Sequence, residues 1–113
     1  MELSGCSQCQ GLYVRIKLPK DLTRAIRLAA DKCRAGSLRH LGDGACGDSF
    51  PLLAKTESWG DFVNSYFSCT GCGALFRLQA ETYHGSGGTL ARITEIAEDL
   101  TIPSGPVAQG GRA

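Results

Sequence analysis

The sequence predicts a single α+β domain, with a small antiparallel sheet and one main helix packed on it. Three observations carry this prediction: an alternating apolar segment at residues 12–18, a helical stripe at residues 22–35, and two β-rich segments at 61–68 and 75–83. A chain of 113 residues is long enough for one core but not for two. We expect residues 1–102 to form this domain, and residues 103–113 to be a flexible tail with too little apolar surface to order.

Residues 12–18 alternate between the two faces of a strand. The apolar side chains of one face are Leu12, Val14, Ile16 and Leu18, and the other face carries Tyr13, Arg15 and Lys17. This period of two is typical of a half-buried strand, and Pro19 is expected to end it.

A helix is predicted over residues 22–35, with Asp21 as its N-cap and Gly36 as the residue that ends it. Its apolar side chains recur at helical spacing and suit one face of a sheet: Leu22, Ala25, Ile26, Ala29 and Cys33. We interpret Cys33 as a small buried hydrophobe rather than a metal ligand. A second, short helix is predicted over residues 90–99, with Thr89 as its N-cap.

Glycine-rich stretches predict loops at two places. Residues 37–55 hold several glycines around Cys46 and are interpreted as a loop. A second metal site at His40 and Cys46 is disfavoured, because no other pair with ligand spacing lies close by. Residues 85–88 predict a tight turn and a flexible link rather than a phosphate cradle, because the lysine of a P-loop is missing. His84 has no partner nucleophile, which argues against a catalytic role.

Two C-x-x-C pairs stand far apart in the chain: Cys6 with Cys9, and Cys69 with Cys72. Each turn aims two sulfurs at one point and is followed by a segment with strand character, and Gly73 suits the positive φ that such a turn needs. Four thiolates match the tetrahedral preference of Zn²⁺, so the sequence predicts one structural zinc ion that joins the two pairs. The 59 residues between the pairs exceed the roughly 15–20 of a compact zinc module, so the fold itself must bring them together.

The cysteines could bind a metal, form redox-active or disulfide-linked pairs, or stay as plain reduced thiols. The cellular compartment decides between these alternatives. The N-terminus has no secretion signal and no apolar run spans a membrane, so we expect a cytoplasmic protein. Thiols stay reduced in the cytoplasm, which favours metal binding over disulfides.

The two C-x-x-C segments, residues 6–18 and 62–83, resemble zinc ribbons and related zinc-knuckle domains. The resemblance implies a bound metal and leaves the activity open, since ribbons serve many functions. The layout is also similar to that of small cytoplasmic bacterial immunity proteins, which neutralise a toxin by binding it. The features that carry this second resemblance are the leading C-x-x-C, the helix, Trp59-Gly60-Asp61, Cys69-Thr70-Gly71-Cys72-Gly73 and Glu81-Thr82-Tyr83-His84-Gly85.

Charge is unevenly spread along the chain. Residues 1–56 carry nine Lys and Arg against five Asp and Glu, whereas residues 57–113 carry three against six. The acidic half holds aromatic side chains that are apt anchors for a protein partner. We expect the partner surface to include Glu57, Trp59, Asp61, Glu81, Tyr83 and His84.

Three classes of function remain: a protein-binding module, a nucleic-acid-binding ribbon that uses the basic helix, and an enzyme. A closed shell of four cysteines leaves no open metal position, and no nucleophile–base pair stands out. The sequence therefore favours a zinc-stabilised protein-binding module, with the nucleic-acid-binding ribbon as the alternative, and no enzymatic activity is expected.

Overall fold

A computed structural model of the chain describes residues 9–44, 49–56, 62–81 and 87–100. These ranges contain five strands and two helices, in the order β1 (Val14–Ile16), α1 (Pro19–Arg34), β2 (Leu38–Asp43), α2 (Phe50–Thr56), β3 (Phe62–Cys69), β4 (Leu75–Glu81) and β5 (Gly87–Ile93). The strands form one antiparallel sheet in the order β1-β5-β4-β3-β2. The prediction of an α+β fold with an antiparallel sheet is confirmed, but a second helix accompanies the main one.

Both helices pack on the same face of the sheet, which we call the helix face. Helix α1 follows the edge strand β1 and leads to the opposite edge strand β2, so it crosses the sheet. Its 16 residues span about 24 Å, which is enough to cross five strands about 4.8 Å apart. The core beneath it is dominated by Phe50 of α2, Phe67 of β3, Leu78 of β4 and Leu90 of β5.

Helix α1 buries the predicted stripe, and its start differs from the prediction. Leu22, Ala25, Ile26 and Ala29 are buried, while Cys33 is half-buried against the core. The helix begins at Pro19, with Leu18 as the N-cap, and Leu18 is 52% exposed instead of joining the apolar face of β1. Asp21 lies in the first turn and accepts hydrogen bonds from the backbone N–H groups of Lys17 and Leu18, both at 3.0 Å.

The predicted loop at residues 37–55 is wrong, because it contains β2 and most of α2. Strand β2 pairs with β3, with an irregularity between His40 and Gly42. Helix α2 is short, but it buries Phe50, Leu53 and Ala54. Pairing and burial in the folded chain therefore override the local preference of the glycines for a loop. Residues 45–48, which include Cys46, lie outside the described residues.

The predicted helix at residues 90–99 is also wrong. Residues 87–93 form β5, which pairs with β4 on one side and β1 on the other, and residues 94–100 form no helix. Gly87 and Gly88 are the first two residues of β5. The flexible link predicted for residues 85–88 therefore does not include these two glycines. A Cβ on Gly88 would lie 1.8 Å from the carbonyl oxygen of Gln79, so only glycine fits this close approach to β4.

Candidate metal centre

The turn between β3 and β4 presents two cysteines, Cys69 and Cys72. The N–H of Gly73 donates to the carbonyl oxygen of Cys69 at 2.8 Å, and the N–H of Cys69 donates to that of Ala74 at 2.8 Å. Gly73 has a φ of 81°, which confirms the predicted need for glycine there. The N–H of Gly71 lies 3.3 Å from the Cys69 sulfur and donates to it, so a backbone hydrogen bond helps to fix the position of this sulfur.

The same turn is fixed to the end of α1 through Thr70. The Thr70 hydroxyl donates to the carbonyl oxygen of Gly36 at 2.6 Å, and its N–H donates to that of Ser37 at 3.0 Å. Gly36, with a φ of 83°, ends the helix as predicted. The cysteine turn is therefore held both by the hairpin and by the connection between α1 and β2.

Cys9 reaches this turn from the segment that precedes β1. The N–H of Leu12 donates to the carbonyl oxygen of Cys9 at 3.1 Å, and Gly11 has a φ of 74°. This turn directs the Cys9 side chain to the end of the β3–β4 hairpin, although 63 positions separate it from Cys72. The predicted convergence of the two halves of the chain is thus present for the three cysteines in the described residues, and Cys6 lies outside them.

The sulfur atoms of Cys9, Cys69 and Cys72 all lie within 4.8 Å of one another. The Cys9 and Cys72 sulfurs are 3.6 Å apart, much longer than the roughly 2.05 Å of a disulfide bond. The distance between the Cys9 and Cys72 sulfurs is instead close to the separation of about 3.8 Å between two thiolates on a tetrahedral Zn²⁺ with Zn–S bonds of ~2.3 Å. Cys9 and Cys69 are buried, and Cys72 is exposed. The three cysteines are thus arranged to hold a metal ion, and none of them is in a disulfide.

Cys33 is a different kind of thiol. It packs against the core from α1 and is not part of the three-cysteine group. Burial raises the pKa of its thiol to about 12, so Cys33 stays protonated and unreactive at neutral pH. The sequence prediction that Cys33 is a small hydrophobe agrees with this environment.

The predicted partner surface falls mainly outside the described residues, which contain Glu81 but not Glu57, Trp59, Asp61, Tyr83 or His84. Glu81 is half-buried at the end of β4, where it pairs with Phe62 of β3. This end of the hairpin is opposite to the cysteine turn. Phe62, which the sequence reasoning did not include in the surface, is 42% exposed. Phe62 directly follows the Trp59-Gly60-Asp61 segment in the sequence, and this position could have indicated that it belongs to the predicted surface.

A buried carboxylate on the helix face was also missed. The Asp43 carboxylate accepts hydrogen bonds from Ser65 Oγ at 2.7 Å and from the N–H of Phe50 at 3.3 Å. His40 Nε2 lies 3.0 Å from its Oδ1. A Ser-His-Asp triad requires the histidine between the other two, whereas here Asp43 lies in the middle and Ser65 is completely buried. This arrangement ties β2, β3 and α2 together and is not that of a nucleophile.

A second polar cluster lies on the opposite side of the sheet, which we call the outer face. Glu98, from the stretch after β5, accepts hydrogen bonds from the Tyr66 hydroxyl and, at 3.0 Å, from Asn64 Nδ2. Arg77 donates through Nε to Asn64 Oδ1 at 2.9 Å, and its Nη2 lies 3.8 Å from Glu98. Burial, followed by the hydrogen bond to Glu98, raises the pKa of Tyr66. We call these four residues the Glu98 network.

Comparison with protein-family models, curated proteins and solved structures finds no significant match to this chain. In the described ranges, no helix has the length and apolar character needed to cross a membrane.

Proposed function

We propose that Cys9, Cys69 and Cys72 bind one structural Zn²⁺, with Cys6 as the fourth ligand predicted by the C-x-x-C spacing. The observation that carries the proposal is the meeting of three sulfurs at one end of the sheet. Thiolate ligands select a soft or borderline metal such as zinc over Mg²⁺ or Ca²⁺. A shell of four sulfurs leaves no open position for a substrate, so the role of the metal is structural.

Native mass spectrometry of protein purified without added metal tests the stoichiometry, and one zinc ion per chain is expected. Zinc removal should free the exposed Cys72 thiol for an alkylating reagent, while Cys33 stays unlabelled as long as the core that buries it remains folded. Cys33 is thus an internal control for unfolding. A folded protein that carries no metal, and whose stability does not change with a chelator, would contradict the proposal.

The cysteine variants measure how much the metal contributes to folding. Cys69→Ser should lower the free energy of unfolding by several kcal/mol, because structural zinc binding is coupled to folding. Cys33→Ala is the matched control, since it removes a thiol from the core without touching the three-cysteine group. If both variants lose the same stability and both keep zinc, Cys69 is not a ligand.

We further infer that the zinc-stabilised domain acts by binding a protein partner, as an immunity-type protein does. Exposed Phe62 lies opposite Glu81 on the outer face, at the end of the hairpin where the sequence predicts an acidic and aromatic surface. An aromatic anchor beside a carboxylate is suited to a basic surface on a partner protein. Phe62 and Glu81 lie at the end of the β3–β4 hairpin opposite to Cys69 and Cys72, so a partner bound there would leave the three cysteines uncovered.

Affinity capture from the native lysate, with and without nuclease, tests the partner class. One stoichiometric protein partner that survives nuclease treatment is expected. The Phe62→Ala and Glu81→Lys variants should weaken its binding, and the double charge reversal Arg24→Glu with Arg27→Glu should not. Binding that depends only on the two arginines would contradict the acidic surface.

A nucleic-acid-binding ribbon is the alternative function, and one observation favours it. The solvent side of α1 carries exposed cations, Lys20, Arg24, Arg27 and Arg34, which suit a phosphate backbone. A complex that is lost on nuclease treatment, and whose affinity falls steeply with salt, would support this alternative over a protein partner.

A further inference from the structure

The outer face contains a trough along β5, separate from the Glu98 network. Directly opposite residues of antiparallel strands point to the same face, and Arg15 of β1, Thr89 of β5 and Gln79 of β4 stand opposite one another in a row. Three of the outer-face residues of β5 are small, Gly87, Thr89 and Ala91, and only Ile93 at the end of the strand is large. The neighbouring strands carry longer side chains, so β5 is the floor of a cavity of about 490 Å³ whose lining includes Tyr13, Arg15, Lys17, Gln79 and Thr89.

The dimensions of the trough suit a small ligand. Two strand spacings separate Arg15 from Gln79, so their backbones are about 10 Å apart. This width accepts a flat ring or a phosphate group between the two walls. The cavity volume also falls in the range of roughly 300–1,000 Å³ that is typical of small-molecule sites.

The polar side chains of the trough have no partners among the described residues. In the parts of the chain that the structure describes, neither Arg15 nor Lys17 makes an ion pair, and the side chains of Gln79 and Thr89 make no hydrogen bond. The contrast with the adjacent Glu98 network is sharp, because Asn64, Tyr66 and Arg77 are all engaged there. The side chains of the Glu98 network are thus satisfied by one another, and the described polar side chains of the trough offer their donors and acceptors to solvent.

We propose that the trough binds a small phosphorylated ligand with a flat ring, the chemistry of a nucleoside phosphate. Arg15 and Lys17 provide two cations for the phosphate, and a guanidinium binds phosphate oxygens with charge-assisted hydrogen bonds. The ring of Tyr13, which is 56% exposed, offers a stacking surface at the same wall. The Gln79 amide and the Thr89 hydroxyl both donate and accept, as recognition of a polar ring edge requires. This site goes beyond the proposed binding of a protein partner and does not depend on it.

NMR titration of the purified, metal-containing chain tests the site with four probes: AMP, adenosine, ribose 5-phosphate and inorganic phosphate. AMP should bind saturably and shift the amide signals of Thr89 and Gln79, and each of the other probes should bind more weakly because it lacks the ring or the phosphate. No saturable shift with AMP overturns the proposal. Inorganic phosphate that binds as tightly as AMP also overturns it, because the ring then contributes nothing.

Variants localise the binding and distinguish it from general attraction of anions. Arg15→Gln should weaken AMP binding by about tenfold or more, and Tyr13→Leu should weaken it by a smaller factor. Arg39→Gln is the matched control, because Arg39 is an exposed arginine of β2 on the same face, beyond the Glu98 network. Equal losses from Arg15→Gln and Arg39→Gln overturn the assignment to the trough. A single-stranded oligonucleotide that binds when AMP does not would replace the small ligand with a nucleic acid.

Discussion

The two faces of the sheet each hold a carboxylate that accepts several hydrogen bonds, but the two carboxylates differ in burial and in what they connect. The Asp43 side chain is 5% exposed on the helix face, where it joins β2, β3 and the start of α2. The Glu98 side chain is 27% exposed on the outer face, where it joins a stretch without regular structure to β3 and β4. Asp43 is part of the core, whereas Glu98 attaches residues 94–100 to the outer face of the sheet.

This difference shows that the number of hydrogen bonds does not determine the importance of a polar cluster. A donor that loses an acceptor deep in the core has no water to replace it, whereas water can take the place of an acceptor that was itself partly exposed, as Glu98 is. The Asp43 cluster, which consists of Asp43 with His40, Ser65 and the N–H of Phe50, should therefore control whether the helix face packs. The Glu98 network should control only the position of residues 94–100.

The largest effect is expected from Asp43→Ala. This change leaves Ser65 Oγ and the N–H of Phe50 without their acceptor in the core, and it removes the partner of His40. We expect a loss of about 3–5 kcal/mol in the free energy of unfolding, measured from the midpoint of urea unfolding with an unchanged slope.

Asp31→Ala is the matched control for this prediction. The Asp31 carboxylate also has a partner, Arg34 Nη1 at 2.8 Å, but its side chain is 72% exposed. Exposed ion pairs contribute little, about 0–1 kcal/mol. If Asp43→Ala costs no more than Asp31→Ala, burial does not distinguish these carboxylates, and the account of the helix face is wrong.

A smaller effect is expected from Glu98→Ala. Tyr66 and Asn64 lose their acceptor, but water can reach part of the site, so the cost should be about 1–2 kcal/mol. NMR signals of residues 94–100 should change while those of β3 and β4 stay in place. Glu95→Ala, at an exposed position of the same stretch, should leave both sets unchanged. Unfolding of the whole sheet in Glu98→Ala would show that the network is part of the core.

The sequence predicted the elements whose signals are local. The stripe of α1, the alternation of residues 12–16 and the cysteine turn with Gly73 each depend on residues close together in the chain. The meeting of Cys9 with Cys69 and Cys72 was also predictable, because a shared metal gives a reason for two distant turns to converge. Its geometry depends on the docking of Thr70 against the end of α1, which no spacing indicates.

The missed elements are those that the tertiary structure decides. Leu90 and Ile93 have a spacing that fits a helix, but the position between β1 and β4 in the sheet requires a strand. Gly88 permits the close approach of this strand to β4. The glycines of residues 42–44 suggested a loop, although β2 there pairs with β3. The Asp43 cluster and the Glu98 network each depend on a hydrogen bond between residues that are distant in the chain, 22 positions for Asp43 with Ser65 and 32 for Glu98 with Tyr66. A single sequence gives no sign of such pairs.

The smallest effect, and the one that tests the outer face most directly, is the ionisation of Tyr66. Burial and the hydrogen bond to Glu98 raise its pKa above the ordinary value of about 10. The folded protein therefore keeps the phenolic proton at pH values where the unfolded chain has lost it. The stabilisation is complete below a pH of about 10 and is lost as the pH rises through the folded pKa.

NMR titration of carbon-13-labelled tyrosine rings measures this pKa directly. Glu98→Gln should lower the pKa of Tyr66 only in part, because the amide oxygen can still accept the hydrogen bond and the ring stays buried. Glu95→Gln should leave it unchanged. A Tyr66 that titrates at its ordinary value in the unaltered chain would mean that its hydroxyl is open to water and that Glu98 does not hold it. The Tyr66 hydroxyl would then contact water as the polar groups of the trough do, and the contrast between the Glu98 network and the trough would be wrong.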